Sequence, residues 1–222
     1  MSAPTRFPAG ISTQAIGKQL AMYPLPDPTE VTNAFYDFFQ YAAGDWTVTN
    51  TSSHATVALT AGAGGLVQAA GGASSVTSDI GAIISNPLNF NLPANTVSGT
   101  YPPPSQGWFY CSFKATTAAN DQLQIGITSA NSTLAPTDGI YPNKAAGAST
   151  IQFVVRKSGS SLAATAYSTG TTTVATLSDA TFVELGWYYD GKGNIDVFVN
   201  ENKVCSVDVG QSTGTVASTF PV

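Results

Sequence analysis

The sequence predicts an all-β protein: a sandwich of short antiparallel strands preceded by an extended N-terminal arm. Three observations carry that prediction. From Asp45 onward, short runs with alternating apolar residues are separated by clusters of Gly, Pro, Asn, Asp and Ser. Helical periodicity is nearly absent. Residues 1–33 hold five prolines, Pro4, Pro8, Pro24, Pro26 and Pro28, and sustain no alternation.

Each proline of the arm fixes its own φ and pushes the preceding residue towards extended geometry. Tyr23-Pro-Leu-Pro-Asp-Pro therefore reads as a stiff strap with few internal hydrogen bonds, which needs a surface to lie on. The candidate anchors of the arm on a neighbouring subunit are Phe7, Ile11, Leu20, Tyr23 and Leu25, with Arg6 able to pair with a carboxylate. Residues 34–222 then form the sandwich domain.

One segment carries helical spacing. In Thr29-Glu-Val-Thr-Asn-Ala-Phe-Tyr-Asp-Phe-Phe-Gln-Tyr, Phe35, Phe38 and Phe39 stand at i, i+3 and i+4, and Thr29 or Thr32 could cap. It reads as one short helix or as a strand entering the sheet. The stretches Ala61-Gly-Ala-Gly-Gly, Ala69-Ala-Gly-Gly-Ala-Ser-Ser and Tyr101-Pro-Pro-Pro read as loops.

In Gly107-Trp-Phe-Tyr-Cys-Ser-Phe, period two places Phe109, Cys111 and Phe113 on the core face and Trp108, Tyr110 and Ser112 on the other. Leu123, Ile125 and Ile127 share a face of the next strand. Ile151-Gln-Phe-Val-Val-Arg turns at Ser158-Gly-Ser-Ser, and residues 162–167 return from that hairpin. The segment 181–209 reads as a three-stranded meander with turns at Asp190-Gly-Lys-Gly-Asn and Asn200-Glu-Asn-Lys, whose Gly and Asn permit positive φ.

The 222 residues are 43% hydrophobic and 10% aromatic, enough apolar surface for a real core. Only 9% are charged, 8 Lys or Arg against 13 Asp or Glu, for a net charge of −5. With no basic cluster, the chain lacks the footprint for nucleic-acid phosphates or anionic lipid, so neither nucleic acid nor membrane is an expected partner. No leader or spanning segment is expected. Two cysteines, Cys111 and Cys205, are far too few for a disulfide scaffold and suit a reducing cytoplasm.

Gly107-Trp-Phe-Tyr-Cys-Ser-Phe-Lys, Asp138-Gly-Ile-Tyr, and the run from Val183 to Asn200 carry a resemblance to the concanavalin A-like jelly roll, the lectin/glucanase sandwich. With the opening Thr5-Arg-Phe-Pro-Ala-Gly-Ile-Ser-Thr and with Asp45-Trp-Thr-Val-Thr, the chain resembles virion structural proteins of tailed bacteriophages, in which such a sandwich follows an N-terminal arm. That resemblance implies a place in the virion, assembled in the host cytoplasm. The leading expectation is a non-enzymatic capsid decoration or cement protein, held by its arm to the major capsid protein or another virion protein. Because sandwich edges need covering, a homo-oligomer or lattice neighbours are expected as well. The alternative is a lectin-like, carbohydrate-binding protein of host adhesion or the tail.

Catalytic chemistry is hard to assemble from these residues. Glucanases of this superfamily place acids together on one strand as Glu-x-Asp-x-Glu, and no such cluster occurs. Glu184 and Asp190 are six positions apart, and a depolymerase would need an acidic pair drawn from distant strands. His54, the only histidine, reads as a surface-turn residue. Cys111 and Cys205 alternate onto inward faces and could lie near one another unbonded. Asp138 and the Asp190–Asn194 turn offer too few oxygens each for calcium, so no metal or cofactor is expected. Tyr101, Trp108, Trp187 and Tyr188 are the candidates for stacking against sugar rings.

Overall fold

The computed structural model describes residues 47–49, 56–60, 66–70, 83–85, 91–92, 107–129, 136–157, 159–190, 193–208 and 220–221. They form sixteen strands: β1 (Thr47–Thr49), β2 (Thr56–Thr60), β3 (Leu66–Ala70), β4 (Ile83–Ser85), β5 (Asn91–Leu92), β6 (Gly107–Phe113), β7 (Leu123–Gln124), β8 (Ile127–Thr128), β9 (Gly139–Lys144), β10 (Thr150–Lys157), β11 (Ser160–Ala163), β12 (Thr173–Thr176), β13 (Val183–Tyr189), β14 (Asn194–Val199), β15 (Asn202–Asp208) and β16 (Phe220–Pro221). The described chain is all-β, and every pairing is antiparallel. The arm with Arg6, Phe7, Ile11, Leu20, Tyr23 and Leu25, the segment 29–41, His54 and Tyr101 lie outside the described residues.

The strands fall in two compact units, β1–β4 in one and β5–β16 in the other. In the smaller, β2 pairs with β3 from Thr56↔Ala70 to Thr60↔Leu66, and β1 pairs with β4. The larger unit holds two sheets and a short β5–β16 pair. One sheet has β9 and β10 at its centre, with β11 and β12 sharing the outer edge of β10 and β7 and β8 that of β9. The other runs β15–β14–β13–β6, so the predicted meander is present and β6 is added to its β13 edge.

One apolar cluster joins the two sheets. Ile140, Ile151, Phe153 and Val155 come from the first, and Leu185, Trp187, Ile195, Val197, Cys205 and Val207 from the second. Phe109, Cys111 and Phe113 pack against it, as their alternation predicts. Burying a side chain of this size contributes about 1.5–3 kcal/mol, and Val155, Ile195 and Val197 are fully enclosed. The register is well specified because a one-residue slip would turn these residues to solvent.

Lys144 ends β9 without any exposed surface. Its ammonium donates to the Asp121 and Ala145 carbonyl oxygens, so the buried charge is hydrogen-bonded and holds the turn before β7 to the sheet. Asp179 Oδ1 accepts from the Ala118 amide at 2.6 Å and fixes the start of the same turn.

Four expectations need correction. The strand through Leu123, Ile125 and Ile127 is two strands, because Gly126 takes φ 153° and breaks the ladder between them. The strand returning from Ser158 ends at Ala163, since Tyr167 leaves that sheet and its amide donates to the Val204 carbonyl of β15 at 2.8 Å. Cys111 and Cys205 both face inward but occupy opposite edge strands of a four-stranded sheet, roughly 14 Å apart by strand spacing and beyond disulfide reach. Trp187 is a core residue, 2% exposed, stacked on Phe109 at 5.9 Å, and is not available to a sugar.

The β14–β15 turn shows positive φ at two non-glycine residues, Asn200 at 47° and Glu201 at 66°. Asn200 is well suited to this, and its side-chain oxygen also accepts from the Glu184 amide at 3.1 Å. Glu201 is not. Glu201→Gly is therefore expected to stabilise the protein by about 0.5 kcal/mol, after the greater freedom of glycine in the unfolded chain is subtracted. Urea melts of the two proteins check this, and a destabilised variant would show that Glu201 makes a compensating contact.

Candidate functional site

The outer face of the four-stranded sheet collects the residues of β6 and β13 that alternate away from the core. Trp108 lies opposite Tyr188, Tyr110 opposite Gly186, and Ser112 opposite Glu184. The next strand adds Asp196 beside Tyr188 and Phe198 beside Gly186, and β15 adds Ser206 and Lys203. Nothing in an alternating pattern tells this face from the core face except polarity, and here both faces carry aromatics.

Three aromatic rings define one end of the face. Trp108 and Tyr188 are half-buried with ring centroids 5.1 Å apart and planes tilted by 42°. Tyr110 is 43% exposed. Gly186 and the Phe198 side chain beside it are buried, and a Cβ on Gly186 would stand 3.1 Å from the Phe109 carbonyl oxygen and 3.3 Å from Tyr110 Cδ2. The lack of a side chain at Gly186 lets the Tyr110 ring lie close to β13. Among the described residues the buried indole Nε1 of Trp108 has no acceptor, a condition that costs about 1–3 kcal/mol.

Burial first, with the Glu184 carboxylate next, pushes the Tyr110 hydroxyl well above its ordinary pKa. Tyr188 is also raised, by burial and then by the Asp190 and Asp196 carboxylates. Asp196 Oδ1 accepts from Ser206 Oγ at 2.6 Å and Asn194 Nδ2 at 2.9 Å, and pairs with Lys203 Nζ at 2.8 Å. The Tyr167 hydroxyl donates to Ser206 Oγ at 2.7 Å. Alternation puts Tyr110 on this face, but sequence spacing gave no sign of Tyr167, which reaches it only through a loop that changes sheets.

Glu184 and Asp190 do not face one another, since they sit at opposite ends of β13, roughly 20 Å apart at the rise of an extended strand. Asp190 Oδ1 accepts from the Asn194 amide at 3.0 Å, closing its turn. Among the described residues, no three His, Cys, Asp or Glu gather as a metal ion would require.

No protein-family profile matches the sequence, and no curated protein matches it. Among solved structures, the chain is similar to the globular domain of calreticulin from T. cruzi, with a TM-score of 0.53 and 10% sequence identity. The likeness covers 77% of this chain and 63% of the other. The fold is a concanavalin A-like, lectin-type β-sandwich. At that identity the likeness concerns architecture alone, and the chain spans less than two thirds of its neighbour's length.

Proposed function

We propose that this chain is a non-enzymatic virion protein of a tailed bacteriophage whose lectin-type sandwich binds carbohydrate on the outer face of its four-stranded sheet. One observation carries the binding: Trp108 and Tyr188 pair their rings at one end of this face, with the exposed Tyr110 and with Glu184 and Ser112 beside them. Aromatic rings take the apolar faces of a sugar, while carboxylate and hydroxyl groups take its hydroxyls. The wide spacing of Glu184 and Asp190, and the pairing of Asp196 with Lys203, support binding without turnover.

The virion setting is supported by the sequence resemblance, with its proline-stiffened leader ahead of the sandwich. Two placements go with it: a capsid decoration or cement protein, or an adhesive protein near the tail. The aromatic face favours the adhesive placement, since a cement protein needs only its anchor. Major capsid protein or another virion component remains the proposed partner of the arm, with copies of the chain as neighbours.

Glycan-array binding by the full chain tests the reading. Trp108→Ala and Tyr188→Ala are each expected to weaken retention about tenfold or more, the usual cost of truncating an aromatic anchor, with thermal melts run alongside to show that each variant is folded. Unchanged binding by both folded variants would remove this face as the site. Deleting residues 2–28 and counting copies per particle tests the anchor separately.

A further inference from the structure

The two outer strands of the four-stranded sheet are built differently. At one rim, β15 carries Lys203 and Asp208 and shifts register beside Val197 and Phe198, with Val204 as the extra residue. Charges and bulges are the ordinary means by which an outer strand turns away another strand. The inward residues of β15, Cys205 and Val207, are buried.

At the other rim, β6 has none of these devices. Its seven residues include no charge and no proline, and all of them pair with β13 in unbroken register, from Gly107↔Tyr189 to Phe113↔Val183. Among the described residues, neither a second strand nor a loop backbone hydrogen bond reaches its open side. Phe109, Cys111 and Phe113 point into the core yet are only half-buried, whereas Leu185 and Trp187, facing Cys111 and Phe109 on β13, are each 2% exposed. The apolar layer therefore runs out to this rim and is not sealed there.

We propose that β6 pairs with β6 of a second copy of this chain, antiparallel and about a two-fold axis, so that two four-stranded sheets become one continuous sheet. A second copy suits this edge because a strand without charges meets itself with no repulsion, although each chain carries −5 overall. Facing residues on antiparallel strands share one side of the sheet, so the axis passes through a residue and not between two. An axis at Tyr110, the middle of the seven, pairs the whole strand. Phe109 then lies beside Cys111 of the partner subunit on the core side, and Trp108 beside Ser112 of the partner subunit on the outer side. Each copy seals the half-buried residues of the other. The inference goes beyond the carbohydrate and virion readings and depends on neither, since it names the surface on which copies meet.

Sedimentation velocity of the full chain over a range of concentrations, with amide hydrogen exchange resolved by residue, tests it. The unaltered protein is expected to reach twice the mass of one chain. Successive amides from 107 to 113 are expected to be protected alike, because neighbouring residues of a strand point their N–H groups to opposite edges. Tyr110→Lys sets like charges face to face on the axis and should weaken the dimer about tenfold or more, with circular dichroism run alongside to show a folded chain, while Tyr110→Phe leaves the dimer intact. A monomer at every concentration, exchange of every second β6 amide at the solvent rate, or a dimer indifferent to Tyr110→Lys would overturn the pairing, and each would leave the Trp108–Tyr188 site to its own test.

Discussion

Gly126→Ala is expected to cost the fold at least about 3 kcal/mol, the scale set by overpacking and by backbone strain together. Gly126 stands between β7 and β8 with φ at 153°, where side-chain-bearing residues are rarely found. A Cβ there would overlap the Ile140 carbonyl oxygen and lie 2.8 Å from Tyr141 Cβ and 2.9 Å from Tyr141 Cα. Those atoms belong to β9, a central strand paired along its length with β10, so they have nowhere to move. Gly147→Ala is the control: φ is 77° but nothing lies within 4 Å, so only the conformational term of roughly 1 kcal/mol applies. Thermal melts should rank the unaltered protein above Gly147→Ala and Gly147→Ala well above Gly126→Ala. Equal melting of the two variants would refute the close approach of β9.

Stability is expected to hold up to about pH 9 and to fall steeply above it, by several kcal/mol in total. Burial pushes the Cys111 thiol up to about 12 from 9.0, against a smaller opposing effect of its hydrogen bond with the Leu185 backbone. Burial, and then the Asp196 carboxylate, push Cys205 up to about 11 from 9.0 despite Lys203 nearby. Both thiols therefore keep their protons in the folded chain after the unfolded chain has begun to release them. Stability from these groups is complete below the unfolded value and is lost as pH rises through the folded ones, at about 1.4 kcal/mol for each unit of separation. Tyr110, Tyr188 and Tyr189, all raised chiefly by burial, add to the same decline from pH 10 upward. Lys144 works the other way. Its pKa is lowered by burial, with the Asp121 carboxylate opposing, so the folded chain gives up that proton first and gains relative stability as pH rises towards 10.5. Urea titrations at pH 8 and pH 11 measure the balance, and Cys111→Ala with Cys205→Ala should flatten the decline. A profile equally steep in the double variant would show that the thiols contribute nothing to it.

Period-two alternation made the sheet faces legible. Phe109, Cys111 and Phe113 turn inward and Trp108, Tyr110 and Ser112 outward because successive side chains on a strand must diverge. The meander was legible for the same reason, aided by turn residues that accept positive φ. Pairing between distant segments was not. That β6 would lie beside β13, and so bring Trp108 against Tyr188, depends on the whole topology and leaves no local mark. Trp187 and Tyr188 are adjacent in sequence and equally aromatic, and only the parity fixed by β6 sends one to the core and the other outward. Tyr167 was illegible for another reason, since a loop residue obeys no period.

The bond from the Tyr167 amide to the Val204 carbonyl also bears on solubility. Val204 belongs to the rim of its sheet, where open carbonyls invite an intruding strand from another molecule and growth into fibrils. A loop borrowed from the opposite layer occupies that position first. The Tyr167 loop thereby blocks a route to self-association, so loosening it would raise the tendency of concentrated protein to precipitate.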